Sequence, residues 1–234
     1  GDAERIESGI HWHGGVVHGV HGFGFWVQVL SASGYFRYAL LRRGMTKLTT
    51  RFDDAFRYAH DVHRAQTRRG TGAPYVGHLL GVVSIVLDDG GGEDEAIGAL
   101  LHDAAEDHGG RERLEDIRTR FGDSVARIVE DCTDSWSEPK EPWLERKQAY
   151  IQHARRLSGP SLRVSAADKV HNAYAILRDL RNSGERVWER FKATPDDVLA
   201  YYESLVRAYR EAGGGLLVDE LDRIVRGIQR EMGY

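Results

Sequence analysis

The sequence predicts an all-α fold, a compact helical bundle with no substantial sheet. Three observations predict it. From Thr50 onward the apolar residues recur at the 3.6-residue period of an amphipathic helix. Breaks such as Gly72-Ala73-Pro74, Gly90-Gly91-Gly92, Ser158-Gly159-Pro160 and Thr194-Pro195 fall at intervals that suit helices. The composition, 41% hydrophobic and 29% charged over 234 residues, is that of an ordinary soluble globular chain of one large or two small domains.

Phe52, Ala55, Phe56, Ala59, Val62 and His63 share one helical face, with Thr50 and Asp53 as a capping pair and Gly70 as the stop. A second helix runs from Val76 to about Leu87, with Val82, Val83, Ile85 and Val86 suited to burial. Glu93 to Asp107 reads as one helix whose acidic first turn complements the dipole. Leu114, Ile117 and Phe121 mark a short helix before Gly122, and Val125, Ile128, Val129 and Cys132 mark the next. Beyond Pro139 and Pro142 the pattern predicts helices over Trp143 to Leu157 and Ser161 to Leu180. The second carries Leu162, Val164, Ala167, Val170, Tyr174 and Leu177 on one side. Thr194 and Pro195 supply an N-cap and first-turn proline for a helix bearing Val198, Tyr201, Tyr202, Leu205 and Tyr209. A last helix spans roughly 217–231, and no strand-like alternation, long linker or repeat is visible.

The first 44 residues differ from the rest, with no Lys and no Pro and with His11, His13, His18 and His21 among scattered glycines. We expect residues 1–45 to be an N-terminal extension with little fold of its own, and the functional domain to span 46–234. A His-rich metal-binding arm is the alternative; it lacks a recurring i,i+4 pair and cysteine partners. The apolar run from Gly22 to Leu30 is only nine residues long and lacks a basic start before it, which makes a secretory signal a poor reading. A net charge of −4 gives no support to a non-specific nucleic-acid or anionic-membrane binder. The single Cys132 excludes an intramolecular disulfide and fits a reducing, cytoplasmic setting. No apolar run approaches the ~18 residues of a membrane span.

The most informative stretch is Leu100-Leu101-His102-Asp103-Ala104-Ala105-Glu106-Asp107. An adjacent His and Asp can ligate one divalent cation, and in a helix Glu106 and Asp107 follow on the next turn of the same face. The small and apolar flanks put these charges in the interior, where they are costly unless paired or metal-bound. Four candidate ligands lie on three helical segments: His78, His102 with Asp103, and Asp168. Two imidazoles and two carboxylates suit Mn²⁺, Fe²⁺ or Zn²⁺, and such a cation lowers the pKa of a water and neutralises phosphate charge. Glu106 and Asp107 are placed to take or relay a proton. Asn172, four residues after Asp168, points at the same cavity. Singly, each piece has a plainer account. His-Asp pairs arise by chance, Glu106-Asp107 fits a solvated helix end, and Asp168-Lys169 fits a surface pair. His78 fits a helix-start histidine bonded to backbone, and His63 a core histidine. Their order and context favour the site.

That order resembles the HD-domain superfamily of metal-dependent phosphohydrolases, and within it the hydrolase domain of RelA/SpoT-type alarmone enzymes. The resemblance rests on five blocks between about 52 and 180. These are His63-Arg64-Ala65-Gln66-Thr67-Arg68-Arg69; Gly72 through His78; Ala99 through Asp107; Phe121-Gly122 through Val129 with Thr133-Asp134; and Ala167 through Asn172. The resemblance implies a single Mn²⁺, or another divalent metal, held by His78, His102, Asp103 and Asp168. It implies that Glu106 and Asp107 activate or position the attacking water, and that Arg68, Arg69 and Asn172 contact a purine nucleotide substrate. An arginine fork suits phosphate oxygens or stacking on a base.

The reaction it implies removes pyrophosphate from the 3′ position of guanosine tetra- or pentaphosphate, or of an adenine alarmone. The alternatives are an HD nucleotidase acting on (deoxy)nucleoside phosphates and a nucleotide-sensing module that binds without turnover. The chain departs from the family pattern at Leu79, where proline is frequent, at His108, where threonine is common, and at Ser165, where lysine is common. These departures bear on nucleotide selectivity and leave the metal set intact. The stretch after 180 is too short for a synthetase or regulatory domain, so the likeness is to stand-alone small alarmone hydrolases. The stretch around Trp188, Phe191 and Tyr201-Tyr202 is similar to a tail of bacterial HD proteins of unassigned substrate. A nucleotide is the expected partner, with no nucleic acid and no membrane; a homo-oligomer is compatible with the sequence.

Overall fold

In the computed structural model the chain divides between Met45 and Thr46 into two units. The structure describes residues 46–234 and, in the first unit, three strands: β1 (Val16–Val20), β2 (Phe25–Ser31) and β3 (Gly34–Arg37). The strands form an antiparallel sheet in the order β1-β2-β3, with Val16 opposite Val29 and Ser31 opposite Gly34. The sequence reading expected no strand here. Seven residues rich in Val, Phe and Trp are ample for a strand. Of the histidine-rich stretch, His18 lies in β1, while His11, His13 and His21 lie outside the described residues.

The second unit is all-α. Its helices are α1 (Thr50–Val62), α2 (Val76–Asp88), α3 (Glu93–Leu101), α4 (Ala104–Asp107), α5 (Gly110–Phe121), α6 (Asp123–Cys132) and α7 (Trp143–Ala154). The long α8 (Gly159–Ser183) runs into a 3₁₀ segment at Gly184–Arg190, followed by α9 (Pro195–Glu211) and α10 (Leu216–Glu231). No described helix is long and apolar enough to cross a membrane.

Two apolar cores form, and α8 separates them. One gathers α1 to α6 around Leu79, Ile97, Leu100 and Ile117, and takes Val164 and Ala167 from α8. The other joins α7, α9 and α10 around Tyr150, Leu205, Tyr209 and Leu221, and takes Leu162, Val170 and Leu177 from α8. The sequence reading gave α8 a single apolar side. The helix is instead buried on two sides, and Tyr174, placed on that stripe, is exposed. Small residues let the helices approach closely at these seams. A Cβ on Gly98 of α3 would come within 2.7 Å of Ile128 on α6.

Two local boundaries also differ from expectation. Thr49, not Thr50, caps α1 by accepting the Arg51 N–H. The helix stops at Val62, well before Gly70, because residues 66–75 turn back on themselves. There Arg68 N–H donates to the Ala73 carbonyl and Tyr75 N–H to that of Gln66. The Thr194 cap is as predicted, closed reciprocally by Asp197.

Candidate active site

The predicted helix over Glu93–Asp107 is broken at the His-Asp pair itself, between the end of α3 and the start of α4. The His102 Nδ1–H donates to the Ala99 carbonyl at 2.8 Å, satisfying one of the carbonyls that a helix end leaves open. Asp103 follows at φ −96°, ψ −6°, so the two side chains leave the chain at a bend rather than from a regular helix. His78 comes from the first turn of α2 and Asp168 from the middle of α8.

These four side chains meet. His102 Nε2 lies 3.0 Å from Asp103 Oδ2 and 3.5 Å from Asp168 Oδ1. His78 Nε2 lies 3.2 Å from Asp168 Oδ1 and 3.6 Å from Asp103 Oδ2. One donor atom from each of His78, His102 and Asp103 lies within 4.8 Å of the others. Both Nε2 atoms are fully buried and neither has a hydrogen-bond partner, although buried polar atoms normally find one. Two orphaned imidazole nitrogens turned toward two carboxylates are the donor set a divalent cation requires, so these residues fit such a metal.

The electrostatics agree. Burial opposes a charged His102, but Asp103 and Asp168 outweigh it and lift its pKa well above the ordinary value. Burial likewise works against the Asp103 and Asp168 carboxylates. His102 overrides it at Asp103, and Lys169 followed by His102 and His78 does so at Asp168, holding both well below the usual range. The pocket thus holds its carboxylates as anions and attracts positive charge to its centre.

Around this set, each carboxylate is anchored. The Tyr75 hydroxyl donates to Asp103 Oδ2 at 2.5 Å, and burial drives its own pKa upward. Asn172 Nδ2 donates to Asp168 Oδ1 at 2.5 Å, while Arg68 donates to Asn172 Oδ1 at 2.9 Å. Lys169 takes the other Asp168 oxygen at 2.5 Å. The surface-pair account of Asp168-Lys169 is therefore wrong. Asp168 is buried, and the Lys169 ammonium sits 5.1 Å from the centre of the Tyr150 ring. Arg68 joins the site through Asn172; Arg69 is exposed and its side chain meets no partner among the described residues.

Glu106 and Asp107 flank the four-residue set without a hydrogen bond to it. Glu106 accepts from Lys140 at 2.6 Å and from the Asp134 N–H at 2.9 Å. Asp107 accepts from Lys140 at 3.2 Å and from Gln66 at 2.8 Å. The Gln66 amide oxygen in turn faces His63 Nδ1 and His108 Nε2 at 2.6 and 2.8 Å. Asp134 is bound by Arg146 and Lys147. Burial, then Asp134 and Asp103, raise the pKa of Glu106, and Lys140 opposes them. The sequence reading gave no role to Lys140, Lys169, Tyr75 or His171. Lys140 sits in an irregular loop with no periodicity to place it, and only its nearness to Pro139 and Pro142 was readable.

The chain is similar to known proteins. The HD domain family model matches residues 55–199. The guanosine-3′,5′-bis(diphosphate) 3′-pyrophosphohydrolase MESH1 of Xenopus tropicalis is 37% identical over 138 residues, which cover 58% of this chain and 72% of that protein. The human MESH1 is 34% identical over 142 residues, 59% of this chain and 74% of that protein. Among solved structures, a metazoan ortholog of SpoT that hydrolyses ppGpp superimposes with a TM-score of 0.64 at 29% identity. That superposition covers 79% of this chain and 98% of the other.

Proposed function

The chain belongs to the HD-domain family, and from that premise we propose that it is a Mn²⁺-dependent (p)ppGpp-type 3′-pyrophosphohydrolase. The observation that carries the metal reading is the pair of buried, unpartnered Nε2 atoms of His78 and His102 facing Asp103 and Asp168. The substrate is supported by the names of the MESH1 relatives and of the SpoT ortholog. A divalent cation held by His78, His102, Asp103 and Asp168 would supply Lewis acidity toward water and phosphate.

The chain's own groups account for the rest. Glu106, a partly buried carboxylate with a raised pKa, takes the proton of the attacking water as its oxygen bonds to the phosphorus on the 3′ oxygen. Asp107 and Lys140 hold Glu106 and the water in line. The bond between phosphorus and the 3′ oxygen breaks, that oxygen gains a proton, and pyrophosphate leaves. Arg68 and Asn172 form the nucleotide-facing edge, and Arg69, exposed beside them, is free to reach a phosphate. Tyr75 and Lys169 keep Asp103 and Asp168 oriented while the charge on phosphate develops.

Incubation of Mn²⁺-loaded protein with guanosine tetraphosphate tests this reading. Release of pyrophosphate together with the guanosine 5′-diphosphate is expected. Cleavage of deoxynucleoside monophosphates with no pyrophosphate from guanosine tetraphosphate would replace it with a nucleotidase. Tight nucleotide binding without turnover under any divalent metal would replace it with a sensing module.

A further inference from the structure

His78 and His171 face each other nitrogen to nitrogen, with 2.9 Å between their Nδ1 atoms. We propose that His171 is a positioning residue for metal binding, accepting the Nδ1–H of His78 so that the His78 Nε2 lone pair is left for the cation, and that Gly81 supplies the space this requires. The inference rests on the reading of His78 as a ligand.

Two imidazole nitrogens approach this closely only with a proton between them. The surroundings decide whose proton it is. His78 Nε2 is fully buried and makes no hydrogen bond, whereas its Nδ1 has His171 as a partner. A neutral imidazole with one N–H keeps it where a partner exists. His102 repeats the arrangement: its Nδ1 faces a carbonyl, which can only accept, and its Nε2 is likewise bare and buried. The two ligand histidines therefore present the same nitrogen to the centre, each with the opposite nitrogen tied back. Metal-binding histidines commonly rely on such a second hydrogen bond.

The helices are built to hold the contact. His78 and Gly81 are three apart on α2, and Asp168 and His171 are three apart on α8, so each helix carries a ligand and its supporting residue on one face. The His171 ring lies on Gly81 so closely that a Cβ there would fall 2.2 Å from its Nε2 and 2.3 Å from its Cδ2. Any side chain at 81 displaces the ring from His78.

Calorimetric titration of chelator-stripped protein with Mn²⁺ alone reads this without reference to turnover, with circular dichroism to monitor folding. His171→Phe, which keeps a ring but removes the acceptor, and Gly81→Ala should each weaken Mn²⁺ binding by roughly 10- to 100-fold. His171→Asn, whose amide oxygen can accept in place of Nδ1, should stay near the wild-type affinity. His78→Ala separates the two ideas. If His78→Ala loses Mn²⁺ while folded His171→Phe and Gly81→Ala bind it as tightly as wild type, the role of His171 is refuted and the ligand reading stands. If His78→Ala binds Mn²⁺ as tightly as wild type, the ligand reading fails and the inference with it. Should His171→Phe not fold, Gly81→Ala, a change of one methyl group, carries the decision.

Discussion

Replacing Lys140 with Met should move the acid limb of kcat/KM upward by about one pH unit, the equivalent of ~1.4 kcal/mol. Lys140 Nζ is 2.6 Å from Glu106 Oε1 and is the foremost group holding the Glu106 pKa down against burial, Asp134 and Asp103. Two unit charges at that distance attract by about 1.6 kcal/mol in bulk water and about 6 kcal/mol at an effective dielectric of 20. The Lys140 side chain is 38% exposed, so the watery limit is the relevant one. Loss of the cation makes Glu106 harder to ionise, and a base that must be ionised then fails at a higher pH. Pyrophosphate release by metal-loaded Lys140→Met, followed as a function of pH, is the assay, with Lys140→Arg as the charge-preserving control. An acid limb that stays put or moves down in folded, metal-binding Lys140→Met refutes Glu106 as the base or Lys140 as its regulator.

Three further outcomes are expected. Asp134→Asn strands the Arg146 and Lys147 cations that Asp134 pairs with, and should lower urea-unfolding stability at neutral pH by roughly 3 kcal/mol. The Asp134 pKa itself, raised by burial but carried down by Lys147 and Arg146 to about 2 from the usual 3.8, lies below the unfolded value. Its contribution, about 2 kcal/mol, is thus fully present above 3.8 and lost as pH falls through the folded value, so acid unfolding of Asp134→Asn should be flatter over that window. Chelation should lower Tm, and Mn²⁺ at a hundred times its Kd should restore about 2.7 kcal/mol; His102→Ala should abolish both the restoration and turnover. Gly98→Ala should cost roughly 1–3 kcal/mol in thermal unfolding, because its Cβ would overlap Ile128 one turn before His102.

The parts of this molecule legible in the sequence are those governed by period and punctuation. The apolar stripes of α2, α5, α6, α9 and α10 follow from local spacing, and Thr194-Pro195 announces its helix by backbone chemistry alone. His102 and Asp103 stand out because charged and imidazole groups among alanines and leucines need a reason to be there. What was illegible depends on partners far along the chain. The break in the helix at His102 comes from its side chain taking the Ala99 carbonyl, which a periodic pattern does not record. The second buried side of α8 exists only because α9 and α10 return to cover it. Lys140 reaches Glu106 across 34 positions of sequence, and His171 reaches His78 across 93. The strands between 16 and 37 were missed for another reason, since a short apolar run fits strand and buried helix equally by periodicity.

Within a few residues of chain the site drives carboxylates in opposite directions, and the cause is company rather than depth. Burial pushes Asp103, Asp168 and Glu106 all upward. The next influence on Asp103 is the His102 ring, and on Asp168 the Lys169 ammonium, and each holds its carboxylate well below the usual range. The next influence on Glu106 is another carboxylate, Asp134, and then Asp103, with Lys140 as the opposing cation. Two carboxylates held ionised are suited to fixing a cation and useless as proton acceptors, because their affinity for a proton is too low. A carboxylate whose pKa is raised is the reverse: a poorer anchor and a better base. Asp134 and Asp103 add to burial there, and Asp134 keeps its own charge because Arg146 and Lys147 surround it. The raised pKa of Glu106 thus has burial as its largest source, with Asp134, on the salt-bridged segment between α6 and α7, next and Asp103 after it.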